Sequence, residues 1–341
     1  MPVFFQVKRV VKKIFGRRKL VANVWKTSSA KPLVILVIDH PNINIRTVQN
    51  LLFYLEPNYF VGIVSSNLSF WLRFFAYIVP YKSVCVNPLI RIKFSKAVKV
   101  IRASAVANKK KQWQLKLVDQ PGQLSLVNIP YYKHPGFCWP VNKQPTEVSN
   151  ERKGRIFFGG NVDAAIYNNP RFSLKYGMPN RYEVYQHLLS LKEVEVNAYF
   201  DETNHAAAEK IFVHTLAGNN LPQDLYIQYL QQFNCMICAP GVTMPLCHNI
   251  IECMEFGCIP IFSYPSWLPK GLVDRVNCFI YQTIDELAAT IETIATLKEE
   301  EFAAMRAQLA LYYKKHFLDF QLHVESMNEI VILNENKQML A

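Results

Sequence analysis

Up to Lys31 the chain carries no acidic residue, and across residues 1 to 118 only Asp39 and Glu56 oppose 21 lysines and arginines, which leaves that part at +19. The remainder, with 17 basic and 24 acidic residues, is net negative. A split of this kind makes the first half the part that meets something anionic. The pattern speaks against nucleic acid, because no zinc-finger spacing, RNP-type aromatic pattern or other recognition motif accompanies the basic residues. Long hydrophobic runs are missing too. No apolar stretch reaches the roughly 18 residues that a spanning helix needs, and charge interrupts the start of the chain, so neither an anchor nor a secretory signal is expected. A second cysteine pair at zinc spacing is also lacking. Of the eight cysteines, Cys235 and Cys238 form a lone Cys-x-x-Cys on a predicted strand, which reads as core packing rather than a metal site. Most of the others lie in strongly apolar stretches, as reduced buried thiols do.

At the basic start, Val3, Val7, Val10, Val11 and Ile14 recur at helical spacing, with Lys8, Arg9, Lys12 and Lys13 between them and Arg17 and Arg18 just beyond. A basic amphipathic helix of this kind lies in the headgroup region of an anionic membrane surface, with those six residues as its contacts. A basic tail, or a helix packed on its own domain, has the same composition.

A length of 341 residues with 50% apolar content exceeds what one core usually serves, so two domains are expected. Beyond a leader of residues 1–30, the run Leu33 to Ile38 reads as a buried parallel strand. Asn44 to Leu55 follows as a helix, Tyr59 to Val64 as a strand, Phe70 to Tyr81 as a helix, and Ser83 to Val86 as a continuation of the sheet. Strands alternating with helices predict a parallel sheet. From Arg91 to Lys116 the periodicity blurs. Residues 128 to 150 are rich in proline and read as a stiff linker, so the domains are placed at 31–140 and 153–320, joined through 141–152, with 321–341 as a tail that packs back on the first domain. In the second half the strands are Arg155 to Phe158, Val194 to Phe200 and Cys235 to Ala239, with a further one starting at Cys258. The helices are Asn180 to Leu191, Gln223 to Phe233, one opening near His248, Asp285 to Thr296 and Glu299 to His316.

The most informative block runs Phe-Asn-Cys-Met-Ile-Cys-Ala-Pro-Gly-Val-Thr-Met-Pro-Leu-Cys-His-Asn-Ile-Ile-Glu-Cys-Met-Glu-Phe-Gly-Cys-Ile-Pro-Ile-Phe-Ser, from Phe233 to Ser263. It is a strand, loop, helix, strand unit, and in open α/β sheets the loop beyond a strand's carboxyl end is where ligands sit. A helix N-terminus there supplies N–H donors and positive potential for a phosphate group. Gly241, after Pro240, lets backbone come close, and Thr243, His248 and Asn249 supply hydrogen-bonding groups. The turn Gly159-Gly160-Asn161 reads equally as a phosphate cradle or as a plain tight turn.

This block resembles the donor-sugar half of GT-B glycosyltransferases, and within them the exostosin family, whose pattern is roughly Phe-Cys-Leu-x-Pro-x-Gly, a polar loop, then Glu-Ala-Leu-x-x-Gly-Cys-Ile-Pro-Val-Ile. A fucosyltransferase-like enzyme using a GDP-sugar shares the Glu-x-x-x-x-Gly-x-x-Pro-Val part. The resemblance is specific from about Tyr226 to Leu268, suggestive from Lys153 to Leu191, and absent in the first half. It implies an α/β fold of two Rossmann-like domains with parallel sheets facing a central cleft. It further implies transfer from a nucleotide diphosphate sugar to an anionic or lipid-linked glycan, in synthesis of lipopolysaccharide, capsule or another surface polysaccharide. Closure about the linker would exclude water. On this resemblance Glu252 contacts the donor ribose, as a carboxylate can accept from two vicinal hydroxyls. Arg181, in Gly177-Met-Pro-Asn-Arg181, is the first choice of cation for the diphosphate and Arg155 the second. A surface Arg capping its own helix is the other reading of Arg181. The chain departs from the pattern at Cys247 and Asn249, where the family has Ser and Arg, and between Phe233 and Trp267 it has no Arg or Lys. Met244 stands where retaining enzymes carry a second acid, which favours inversion. There is no Asp-x-Asp triplet, so neither metal nor other cofactor is expected. Asp39 and His40, at the end of the first strand, are the candidate bases, with His134 and Asp163 in reserve; Asp39-His40-Pro41 reads alternatively as a helix-capping turn. Without an anchor, the expected location is cytoplasmic, peripheral on the inner face of the cell membrane. A non-catalytic protein that binds sugar nucleotides or polyanions is the reading from a different class.

Overall fold

In a computed structural model of the chain, the described residues are 152–199, 210–215, 222–242 and 245–318, together with Leu52 and the strands named below that lie outside those ranges. The chain divides into two compact units, Met1–Trp139 with Gln321–Asn336, and Pro140–Phe320 with Lys337–Ala341.

The first unit contains β1 (Leu33–Ile38), β2 (Phe60–Val64), β3 (Val84–Asn87), β4 (Lys99–Ala107), β5 (Leu115–Gln120) and β6 (Gln123–Val127). The second contains β7 (Gly154–Gly160), β8 (Val194–Val196), β9 (Ile211–Thr215), β10 (Phe233–Ile237), β11 (Ile259–Phe262) and β12 (Phe279–Ile280), after which the chain returns to the first with β13 (Glu329–Asn334).

The first sheet has the order β3-β2-β1-β4-β13-β5-β6. Its strands from β3 to β13 are parallel, with Val34 opposite Val61 on one side and Lys99 on the other. β5 and β6 run antiparallel, to β13 and to each other respectively. The expected wholly parallel sheet is therefore amended at this edge. Only Pro121 and Gly122 separate β5 from β6, and so short a connection joins antiparallel strands, whereas a parallel pair needs a crossover of a dozen or more residues.

All six strands of the second sheet are parallel, in the order β12-β11-β10-β7-β9-β8. Every residue of β9, β10 and β11 is buried, as expected of parallel strands covered on both faces. Phe157, Phe212, Tyr229 and Phe233 pack at tilted or edge-on angles in this core, with centroids 5.2–5.7 Å apart, distances at which aromatic edges and faces attract.

Helices α1 (Ala164–Tyr167), α2 (Pro170–Tyr176), α3 (Arg181–Ser190), α4 (Gln223–Gln232), α5 (His248–Glu255), α6 (Ile284–Thr296) and α7 (Glu299–Tyr313) belong to this unit. α3 starts at a capping box in which Asn180 accepts from the Glu183 N–H while Glu183 accepts from the Asn180 N–H. α7 ends at Tyr313, and a wider turn over Lys314–Leu318 carries its last part. β8 is shorter than its sequence pattern suggests. Asn197 stops it by adopting φ +53, with its N–H on the Val213 carbonyl and its side chain accepting from the Thr215 N–H. β9 and β13 are additions to the elements expected from sequence. The leader, the linker before Arg152, and the helices expected between β1 and β3 fall outside the described residues, except for Leu52, which is helical and buried in the first of those helices.

Candidate functional site

The strand order makes one place in the second unit unlike the rest. From β7 the chain moves to β8 and β9 on one side, then crosses to β10, β11 and β12 on the other. The carboxyl ends of β7 and β10 therefore lead into loops that part in opposite directions, and ligands of open α/β sheets bind in the crevice so formed. Gly159-Gly160-Asn161 ends β7, Ala239-Pro240-Gly241 follows β10, and α5 begins nearby. The two glycines are required by the interior itself. A Cβ on Gly159 would stand 2.7 Å from the Phe157 ring, and Gly160 has φ +146 with the Arg181 Nη1 at 3.1 Å from where a Cβ would be.

Arg181, the first residue of α3, binds the two loops together. It is 5% exposed and points inward, so it is not a surface cap. Its Nε donates to the Pro240 carbonyl at 2.9 Å, Nη2 to the Ala239 carbonyl at 3.0 Å and to Cys247 Sγ at 3.1 Å, and Nη1 to the Asn161 carbonyl at 3.5 Å. Its guanidinium also lies 4.8 Å from the centroid of the Tyr167 ring. Among the described residues no carboxylate pairs with it. Burial disfavours this buried cation, but Cys247 and Tyr167 beside it outweigh burial and hold the guanidinium above its ordinary value.

Cys247, the N-cap of α5, sits between this guanidinium and the helix. Burial pushes its thiol up, but Arg181, His248 and the Asn249 backbone N–H together outweigh burial, and its pKa falls below the ordinary thiol value. Burial pushes Cys235, Cys238, Cys253 and Cys278 up. Cys247 is accordingly expected to be the first of the six described cysteines to react with iodoacetamide near neutral pH, and peptide mapping of a time course by mass spectrometry checks it.

In the first turns of α5, His248 has a side chain 28% exposed, while Glu252 below it is completely buried. The His248 Nδ1 lies 2.9 Å from Glu252 Oε1, and the Tyr226 hydroxyl of α4 donates to Oε2 at 3.3 Å. Burial, then the Glu252 charge, push the Tyr226 hydroxyl well above its usual value, so it remains a donor. Asn249, 4% exposed, has its Oδ1 buried without a hydrogen-bond partner, an acceptor left for a donor to fill. Gly241 is half-buried, its N–H on the Pro245 carbonyl at 3.1 Å.

The structure thus brings Gly159, Gly160, Asn161, Arg181, Pro240, Gly241, His248, Asn249 and Glu252 to one end of one sheet. Two of the expected residues are held inside the protein. Glu252 is fully buried, with His248 Nδ1 at Oε1 and the Tyr226 hydroxyl donating to Oε2. Arg155 lies near the start of β7, five residues from Gly160 and so about 16 Å away along an extended strand, where its Nη1 donates to the Ile294 and Leu297 carbonyls at the end of α6. It satisfies that helix's last carbonyls. Asp163, the reserve base, caps α1 by accepting from the Ala165 N–H. Asp39, His40, His134, Thr243 and the leader residues Lys8, Arg9, Lys12, Lys13, Arg17 and Arg18 lie outside the described residues. Sequence reasoning missed Tyr226. Its spacing to Tyr229, Leu230 and Phe233 marks an inward helix face, but nothing in the spacing says that this face meets Glu252.

Among the described residues there is no group of three His, Cys, Asp or Glu that could hold a metal ion, and no helix long and apolar enough to cross a membrane.

No protein-family model matches the chain, and no curated protein matches it. Among solved structures, HepE from Anabaena in complex with UDP and glucose is 10% identical with a TM-score of 0.39, over 83% of this chain and 95% of that one. A glycosyltransferase from Rickettsia africae is 10% identical with a TM-score of 0.39, over 87% of this chain and 96% of that one. The C-terminal domain of a group 1 glycosyl transferase (LpcC) from Francisella tularensis is 14% identical with a TM-score of 0.29, over 50% of this chain and 89% of that one. All three scores lie below 0.5, so the fold class, α/β with a six-stranded parallel sheet in the second unit, rests on strand order and pairing.

Proposed function

We propose that the protein is a GT-B glycosyltransferase that moves a sugar from a nucleotide diphosphate sugar to a glycan acceptor. The observation that carries this reading is the placement of Arg181, a buried guanidinium without a carboxylate partner among the described residues, at the switch point beside the first turn of α5. In such a reaction the acceptor hydroxyl oxygen attacks the anomeric carbon, the bond from that carbon to the diphosphate breaks, and the nucleoside diphosphate leaves with the negative charge. The part of the protein at the leaving group is electrostatic: Arg181 and the positive end of α5 supply favourable potential there, beside the Pro240-Gly241 turn that the guanidinium binds. The acceptor proton goes to Asp39 or His40 in this proposal, on the strength of their position after the first strand in the sequence.

The finer assignments rest on the quoted residues alone. The exostosin-like pattern between Tyr226 and Leu268 supports the subfamily. Met244 in place of a second acid supports inversion, and the missing Asp-x-Asp triplet supports a metal-independent reaction. The basic first half supports an anionic or lipid-linked acceptor of surface polysaccharide synthesis, handled at the inner face of the membrane.

The test is a panel of UDP-, GDP-, CDP- and ADP-sugars, read first by thermal shift and then by release of nucleoside diphosphate. One nucleotide class is expected to raise the melting temperature, by mass action on the folded state, and to be turned over. A GDP-sugar result would place the enzyme with the fucosyltransferase-like group, binding without turnover on any acceptor would make it a non-catalytic binder, and no shift with any nucleotide would end the donor-site reading.

A further inference from the structure

Resting on that donor-site reading, we infer that Tyr199 is the platform on which the donor's nucleobase stacks, preset by three hydrogen bonds around the end of β8. Tyr199 is 62% exposed, yet the segment that carries it is pinned to β9. Asn197 turns the chain with φ +53 and gives its N–H to the Val213 carbonyl at 2.8 Å, and its Oδ1 accepts from the Thr215 N–H at 2.9 Å. His214 Nε2 lies 2.8 Å from the Ala198 carbonyl, and a carbonyl only accepts, so that nitrogen carries the proton. The His214 ring, 4% exposed, stands 6.2 Å from that of Tyr199 and edge-on to Tyr229 at 5.3 Å. Burial lowers its pKa, so this aromatic cluster is uncharged near neutral pH. An exposed ring on a segment fixed in this way has little freedom left to lose on contact.

What the ring takes follows from where it stands. β9 lies next to β7, with His214 opposite Gly159 and Thr215 opposite Gly160, and β8 lies next to β9, with Val196 opposite Val213. The Pro240-Gly241 turn, where the diphosphate is proposed to sit, follows β10 on the other side of β7. Neighbouring strands are about 4.8 Å apart, so the carboxyl ends of β10 and β9 are separated by roughly 10 Å, a span that the ribose and base of one nucleotide bridge. Between them the floor is the backbone of Gly159 and Gly160, which carry no side chain. The two ends differ in kind: Arg181 and the positive end of α5 at one, uncharged rings at the other. A nucleoside diphosphate is divided in the same way, with its anionic charge at one end and a flat uncharged base at the other, and any base offers a face that stacks on a tyrosine ring.

The experiment compares wild type, Tyr199→Ala and Tyr199→Phe as the full chain. Inorganic pyrophosphate is the ligand without a base, and UDP, GDP, CDP and ADP are those with one. Tyr199→Ala is expected to weaken whichever nucleotide binds about tenfold, the size of one lost base–aromatic stack, and to leave pyrophosphate affinity unchanged. Tyr199→Phe is expected to bind as wild type does, because stacking uses the ring face and not the hydroxyl. Unaltered nucleotide affinity in Tyr199→Ala, or an equal loss for pyrophosphate and nucleotide, would overturn the inference while leaving the donor site standing; failure of every nucleotide to bind wild type would remove both. Should Tyr199→Ala not fold, Tyr199→Leu takes its place with the same expected loss, since it keeps apolar bulk without a π face. Where pyrophosphate binds too weakly to titrate, proton NMR decides. The base protons of the bound nucleotide are expected to move upfield under the ring current in wild type and Tyr199→Phe, and no such shift in wild type would end the stacking assignment.

Discussion

Arg181→Met is expected to cost about 2 to 5 kcal/mol of folding stability, and to abolish nucleotide binding at concentrations that saturate the wild type. Methionine keeps much of the apolar stem but none of the donors that reach Ala239, Pro240, Asn161 and Cys247. Each buried acceptor left without its donor costs roughly 1–3 kcal/mol. With a urea m-value of about 2 kcal/mol/M, the midpoint moves down by roughly 1–2.5 M. Binding falls for a separate reason. The guanidinium is the cation at the switch point, and it also fixes the spacing between the loops after β7 and β10. Arg181→Lys separates the two effects: a point charge on a flexible stem restores part of the field but not the fork that reaches several carbonyls, so some affinity returns while the midpoint stays low. Unchanged binding in Arg181→Met would remove the main support for a donor site here.

Arg152→Met is expected to destabilise the protein by about 3 to 5 kcal/mol, among the largest single-residue effects, while leaving nucleotide affinity within about threefold. Arg152 Nη1 donates to the carbonyls of Leu230 and Phe233 at 2.6 and 2.7 Å, and Nη2 to that of Phe256 at 2.5 Å. Those acceptors close the ends of α4 and α5, where carbonyls lack intrahelical partners and the helix dipole is negative. One side chain thereby ties the entry into β7 to both helices that carry the Tyr226–Glu252–His248 chain. It does so at the far end of α5, about 12 Å along the axis from His248. Equilibrium denaturation and nucleotide titration of the same variant check the two halves. A large loss of affinity at a temperature where the variant is folded would mean that α5 is held in place from its carboxyl end rather than by Arg181.

The second unit is largely legible in its sequence. Ile156-Phe157-Phe158, Cys235-Met236-Ile237 and Ile259-Pro260-Ile261-Phe262 are unbroken apolar runs that only a doubly covered strand accommodates, and each is a buried strand. Asn180 with Glu183, and Thr283 with Glu286, mark helix starts through caps that act within four residues. Where contact was long-range, the reading stopped. β9 sits beside β7 in the sheet, yet Ile211-Phe212-Val213 is too short an apolar run to mark a strand by local pattern alone. β13 joins β4 across more than 200 residues of chain, and no local pattern says that Glu329–Asn334 belongs to the first sheet. The blurred stretch after Arg91 holds β4, which pairs in parallel with β1 and β13, and the antiparallel edge of β5 and β6 follows it.

At the site the division is equally physical. Composition, strand and helix periodicity, and the order Pro240-Gly241 then His248 are local, and they were enough to set an α/β class, a loop at a strand's carboxyl end and a helix opening beside it. Which way a side chain turns is a matter of packing and desolvation between segments far apart in sequence. That is why Arg181 proved to be an inward clamp and not a cap at the surface, why Arg155 closes α6 at the other end of β7, and why Glu252 lies beneath His248, beyond the reach of solvent.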